Sequence, residues 1–423
     1  MRLLDAWLGG DRDARRFPYP EVLAGYHRGG KHFIDQDLLA TLIEVRARLG
    51  QVHGPTPTVR QLAAFLSTAL DKADGRYDYQ TYLALCLLPM PNLDEGVTPE
   101  VAGRQRDRLV VNLIADLLRF ELDAASGATD LLAQQRPNAA LVAKRLRLGV
   151  RAALPALRRI GLADLADPSD QAARHLSATV HADLTGEERQ VLSLSMLPVY
   201  TVHDEYLFIR VLQSWETTFA LLAIGLSEAN SQIAAGDGTA GAHYLRAATS
   251  ALRESSPLFS LVATMQVQSF HTFREWTEGA SAIQSRNYKT VESLCRVPDQ
   301  MRLDSLAYTA VPEVRQRVLA GRPTIEQSYR AAVAAGHLSL RERDLVEQAM
   351  RDFAGAMLHW RQTHFRLAMR MLGGRSGTGY TEGTPYLDAV RKIPTFDLPQ
   401  VGINPAASSG TDQPPKAELA QSQ

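Results

Sequence analysis

The sequence predicts an all-α fold, a bundle of helices with few or no strands. Three observations carry that prediction. Strong helix formers, Ala, Leu, Arg, Glu and Gln, dominate the chain. Apolar residues recur at three- and four-residue spacings, the period of a helix face. Alternating runs that would mark strands are nearly absent.

Taken in order, the pattern places helices at 34–49, 58–72, 78–88, 99–124, 138–159, 187–197, 204–234, 239–254, 258–276, 284–296, 312–320, 324–335 and 340–372. Thr98-Pro99-Glu100 offers an N-cap followed by proline at the first helical position, where no N–H is needed. Ser339 and Glu342 have the spacing of a capping box at the start of the last long helix. The tail, rich in Pro, Ser, Gly and Gln, reads as disordered. Three regions follow: a helical N-terminal region over 1–190, a helical domain over 191–396, and the tail 397–423. "LALCLLPMP" and the two helices after it faintly echo "LSLSMLP" and the helices at 204–234 and 239–254. A degenerate duplication, an insertion and a chance likeness between helices all fit that echo.

With 423 residues the chain has ample length to bury a core. Lys plus Arg equals Asp plus Glu at 46 each, so no global field steers the protein to nucleic acid or to an anionic membrane. No run approaches 18 uncharged apolar residues, and the N-terminus lacks an apolar core of signal-peptide length. Cys86 and Cys295 are far apart and outside any CxxC or CxxCH arrangement. That usage fits a reduced, cytoplasmic protein and argues against a zinc site or a covalently attached haem.

One polar ring interrupts this pattern. Val346, Met350, Phe353, Met357, Trp360, His364, Leu367 and Met371 alternate four- and three-residue steps, which keeps them on one helix face. His364 therefore points where buried residues point. It is either a core histidine with a hydrogen-bond partner or a neutral imidazole that binds a metal such as haem iron. Zinc would call for a second histidine one turn away, and His359 lies on another face. After the helix, "GGRSGTGYTEG" is either an ordinary flexible loop or one that presents bare N–H groups to a ligand.

Two other segments stand out. In "HDEYLFIRVLQSWETTF", Phe208, Leu212, Trp215, Phe219 and Leu222 form an apolar stripe that composition alone reads as core. In "SFHTFREWTEGASAIQSRNYKTVE", Arg274 lies between aromatics, as a surface ion pair or as a bidentate clamp for a carboxylate.

Together the three segments resemble tryptophan 2,3-dioxygenase and the wider family of histidine-ligated, haem-dependent aromatic oxygenases. The matching pieces are "HDEYLFI…Q..E", "F..FR…AS..QS..Y" and "WR..H……GTG…G..YL", in the family's order over about 200 to 395. The resemblance implies a helical bundle holding a non-covalent haem b, with His364 as the proximal ligand and Ser281 and Trp360 beside the cofactor. It implies that Arg274 clamps the α-carboxylate of an aromatic amino acid, that Thr378 holds the head group in a closing loop, and that Phe208 lines the pocket beside the indole. The implied reaction inserts both atoms of O₂ across the indole C2–C3 bond of L-tryptophan or a close derivative, giving an N-formylkynurenine-type product. No catalytic side chain is needed beyond the haem iron.

Departures from the family widen the choice of substrate. Leu212 stands where a distal histidine usually contacts the indole N–H, and Phe270 stands where a tyrosine hydroxyl is usual. Ala282 and Ile283 replace a Gly-Phe pair, while Tyr380 and Glu382 alter the loop. These changes leave open a monooxygenase of tryptophan or tyrosine derivatives in secondary metabolism, or a non-catalytic haem-binding protein. "YDYQTYLALCLL" resembles the family's N-terminal tyrosine segment, which in the tetramer reaches a neighbouring subunit's site. On that basis a homo-oligomer, dimer or tetramer, is expected.

Overall fold

In the computed structural model, residues 2–49, 56–162, 168–373 and 384–397 are described. The fold is all-α: among the described residues the only β pairing is an isolated bridge between Gln134 and Val202. The long helices are Pro99–Ser126, Ala139–Ile160, His203–Ala234, Gly238–Glu254 and Leu340–Leu372. His203–Ala234 is the central one, packed against Pro99–Ser126, Gly238–Glu254, Arg286–Cys295 and Ile325–Ala334. It is long and apolar enough to cross a membrane by composition, but its most apolar stretch is 89% buried by its neighbours. A helix buried on every face reads this way without any membrane.

The caps formed as expected. Thr98 Oγ1 accepts from Val101 N–H, and Ser339 and Glu342 form the reciprocal capping box. The helix Gly238–Glu254 closely approaches the end of the central one: a Cβ added at Gly241 would sit 2.4 Å from Ile233 Cγ1.

One core runs across position 190. It joins Leu109–Leu118, Leu146 and Val150 to Phe219, Leu222, Met350 and Phe353. A second core gathers buried side chains between Leu4 and Leu87 around Tyr26, Phe65 and Leu66 and closes on Leu194 and Leu197.

Two expected helices differ for a shared reason: buried side chains capture backbone groups. Instead of one helix over 258–276 the chain forms Pro257–Val262 and Val267–Arg274. At the break, Arg145 donates to Thr264 Oγ1 and Thr264 O, and Asp204 Oδ2 accepts from Gln266 N–H at 2.6 Å. The expected helix at 78–88 is the single turn Tyr79–Tyr82, then Ala84 at φ +50° and a 3₁₀ turn. Gln213 holds Leu83 O at 2.8 Å there. Helices Arg2–Gly9, Tyr19–Gly29, Asp170–Asp183 and Thr384–Arg391 were not anticipated. The tail beyond 397 and the glycine loop over 374–383 lie outside the described residues.

Candidate active site: a cavity facing His364

Along Leu340–Leu372 the stripe begins as core, with Val346, Met350, Phe353 and Met357 fully buried. Further on, Trp360, His364 and Leu367 are only partly buried, because they face a cavity rather than packed side chains. The same change occurs on the central helix. Between His203 and Ala220 every residue is buried except Phe208 and Leu212, one turn apart. Both face the cavity. It offers about 240 Å³ in which a water molecule can centre, far above the ~10–15 Å³ one water needs. That is room for a ligand, not a packing defect.

Phe208, Leu212, Phe270, Arg274, Ser281, Trp360 and His364 all line this one cavity. Thr378 lies outside the described residues. Phe208, Phe270 and Phe273 form an aromatic wall with ring centroids 5.3–6.0 Å apart. The Arg274 guanidinium carbon sits 6.0 Å from the Phe270 ring centroid, a cation–π distance. His271 Nε2 meets Met371 O at 2.8 Å, which ties the Arg274 helix to the end of the His364 helix. Ser281 heads a 3₁₀ turn whose Gln284 Oε1 accepts from Ser281 N–H and from Tyr79 N–H at 2.9 Å.

That last bond matters for the N-terminal region. Tyr79 and Tyr82 line the cavity of their own chain. The family resemblance had associated this segment with a neighbouring subunit's site.

Burial pulls the His364 pKa down to about 4, so its ring is neutral at neutral pH and offers a lone pair. The Trp360 ring lies 5.3 Å away, packed edge-on against Trp215 and Phe219. Among the described residues no group of three or more His, Cys, Asp or Glu side chains could hold a bare metal ion. A lone neutral imidazole in an aromatic cavity suits a metal that arrives with most of its ligands, as a haem does. In that respect the residues present fit the group.

Sequence reading missed Glu216, Tyr288, Lys289, Arg361 and Tyr386, which also line the cavity. Glu216 and Arg361 sit inside the matched motifs, so charged residues within a matched motif were the available signal. Burial pushes the Glu216 carboxyl up to about 7, against hydrogen bonds from Ser285, Tyr79 and Asn287. At neutral pH it holds or releases a proton at the cavity wall. A carboxyl raised above its unfolded value of 4.5 stabilises the fold below pH 4.5 and loses that contribution as pH rises through 7. Urea unfolding should therefore show roughly 2–3 kcal/mol of stability lost to this group between pH 5 and 8. Glu216→Gln should flatten that slope, and an unchanged slope would contradict the assignment.

No protein-family model matches the chain. It is 26% identical over 224 residues to the tryptophan 2,3-dioxygenase of Anaeromyxobacter sp. (strain K), covering 46% of this chain and 84% of that protein. The protein of the same name from Nocardioides sp. (strain ATCC BAA-499 / JS614) is 26% identical over 221 residues, 46% and 83% of the two chains. That of Xanthomonas campestris pv. campestris (strain B100) is 24% identical over 272 residues, 54% and 91%. The chain is thus similar, across most of their length and about half of its own, to proteins named tryptophan 2,3-dioxygenase.

Proposed function

We propose that the cavity holds a non-covalent haem b on His364 and binds an aromatic amino acid beside it, and that the protein is a haem-dependent dioxygenase. Its substrate on this reading is L-tryptophan or a close derivative, opened at the indole C2–C3 bond by O₂. The observation that carries the reading is the meeting of two chemistries in one cavity. A neutral imidazole stands on one wall, and an arginine beside a cluster of edge-on and tilted phenylalanines stands on another.

When bound, the haem supplies the O₂ chemistry. The chain supplies the rest. His364 would hold the iron through the lone pair of its neutral ring. Arg274 pairs with the substrate carboxylate, and Phe208 and Phe270 hold the ring. Leu212 offers the ring an apolar contact and no acceptor, which favours a substrate whose ring needs none at that place.

An anaerobic titration of the reduced, haem-reconstituted protein with L-tryptophan, followed by O₂, tests this. The reading expects a saturable Soret shift and then N-formylkynurenine absorbance. A Soret band that ignores every aromatic amino acid would refute it, and mass spectrometry showing one added oxygen would make the enzyme a monooxygenase. In the same assay Arg274→Ala should weaken substrate binding roughly 10–100-fold, the worth of a charged hydrogen bond, and leave haem binding unchanged. An unaltered affinity would return Arg274 to a surface role.

A further inference from the structure

Arg274 is the last residue of its helix, and an irregular turn follows it. Thr277 Oγ1 donates to Arg274 O at 2.8 Å, and Glu278 takes φ +47°, a region that side chains disfavour. The last carbonyls of a helix have no partners within it, so groups outside the helix decide where its final residue sits. Here those groups come from the N-terminal region.

His32 Nε2 lies 2.7 Å from Trp276 O. A carbonyl only accepts, so that nitrogen carries the proton and donates it. The Trp276 ring sits among His32, Phe33 and Tyr200, with centroids 5.3, 4.8 and 5.8 Å away. A helical turn before Trp276, Gln135 Nε2 donates to Thr272 Oγ1 at 3.1 Å. Both His32 and Trp276 fall outside the matched motif positions.

The turn that presents His32 is itself fixed. Lys31 is 2% exposed, and its ammonium donates to Asp71 Oδ2, Thr68 O and Thr81 O at 2.9, 2.9 and 3.0 Å. Its backbone N–H donates to Pro198 O at 3.0 Å. Gly30, at φ +85°, lies so close to the next segment that a Cβ there would meet Val199 O at 2.3 Å. Thr81 belongs to the turn Tyr79–Tyr82, whose two tyrosines line the cavity. One buried ammonium thus locks the His32 turn to the tyrosine turn.

We propose that His32 is a positioning residue for the substrate: through Trp276 it sets the Arg274 guanidinium for the amino-acid carboxylate, and the N-terminal region thereby completes the substrate side of the site. This rests on the reading of Arg274 as the carboxylate clamp. The test compares wild type, His32→Ala, His32→Gln, Arg274→Ala and the double variant His32→Ala/Arg274→Ala, all haem-loaded. Each is titrated with L-tryptophan and with tryptamine, which lacks the carboxylate, and steady-state rates with L-tryptophan are measured alongside.

His32→Ala should lose roughly three- to tenfold in affinity for L-tryptophan, the worth of one hydrogen bond, and nothing for tryptamine. KM should rise by the same factor while kcat and the Soret band hold. His32→Gln, whose amide also donates, should keep the wild-type KM. In the Arg274→Ala background the loss of His32 should change nothing further, because the two residues act as one unit. An undiminished L-tryptophan preference in His32→Ala, equal losses for the two ligands, or losses that add in the double variant would overturn the inference and leave Arg274 as the clamp. Wild type with no preference for L-tryptophan over tryptamine would sink the clamp reading, and this inference with it.

Discussion

Arg145→Met should destabilise the protein by about 3–5 kcal/mol, the cost of stranding buried charge. Arg145 is 1% exposed and donates to Glu121 Oε1 at 2.9 Å and to Asp204 Oδ1 at 2.7 Å. His203 Nε2 meets the other Glu121 oxygen at 3.3 Å. Burial alone would raise the Glu121 pKa, but His203 and Arg145 outweigh it and hold the carboxyl below its usual range. Methionine fills much of the arginine's volume, so the loss reports charge rather than a cavity. The consequence reaches the site. Arg145 and Asp204 also hold Thr264 and Gln266, the break that starts the helix bearing Phe270 and Arg274. The variant should therefore lose discrimination between L-tryptophan and tryptamine before it loses helix content. Denaturant unfolding with parallel ligand titration checks both, and a stability change below about 1 kcal/mol would show that the network is dispensable.

That network explains which parts of the molecule were legible in the sequence. The long helices announced themselves because a 3.6-residue period sustained over four or more turns has few competing readings. Their caps were local and equally readable. The break at 263–266 was not, because its cause is Arg145, more than a hundred residues away in sequence. The same holds for the turn at Ala84, held by Gln213. Asp170–Asp183 carried readable signals, with Ser169 as its N-cap and Ala172, Ala173, Leu176 and Val180 on one face, and was passed over. For the site, seven of the eight residues singled out converge on one cavity and the eighth lies outside the described residues. Periodicity alone put His364 on a buried face. It could not distinguish a packed face from a cavity-lining one, since both favour apolar side chains. Lys289 and Arg361 escaped for the opposite reason. A charged residue on a helix normally reads as solvated, and only the packing of Tyr288, Tyr308 and Glu292 around them shows otherwise.

His364→Ala should abolish stoichiometric haem binding yet leave the fold nearly as stable as before. Both halves follow from the ring's surroundings. The ring is neutral and faces the cavity and Trp360, so its removal strands no buried charge. Its face already opens on a cavity, so truncation enlarges an existing space instead of creating a new one in packed core. The expected stability change is within about 1 kcal/mol, against several for Arg145→Met. Haem affinity should fall by orders of magnitude, because no second imidazole stands one turn away on the same face. Millimolar free imidazole, able to enter the vacated space, should restore a histidine-like Soret band in the alanine variant but not in His364→Phe, which fills it. A normal proximal-histidine spectrum in the alanine variant without imidazole would move the ligand elsewhere. Loss of haem together with a large fall in stability would instead make His364 a packing residue. The pairing of a large effect on cofactor with a small effect on fold is what separates a ligand from a core histidine, the choice that periodicity left open.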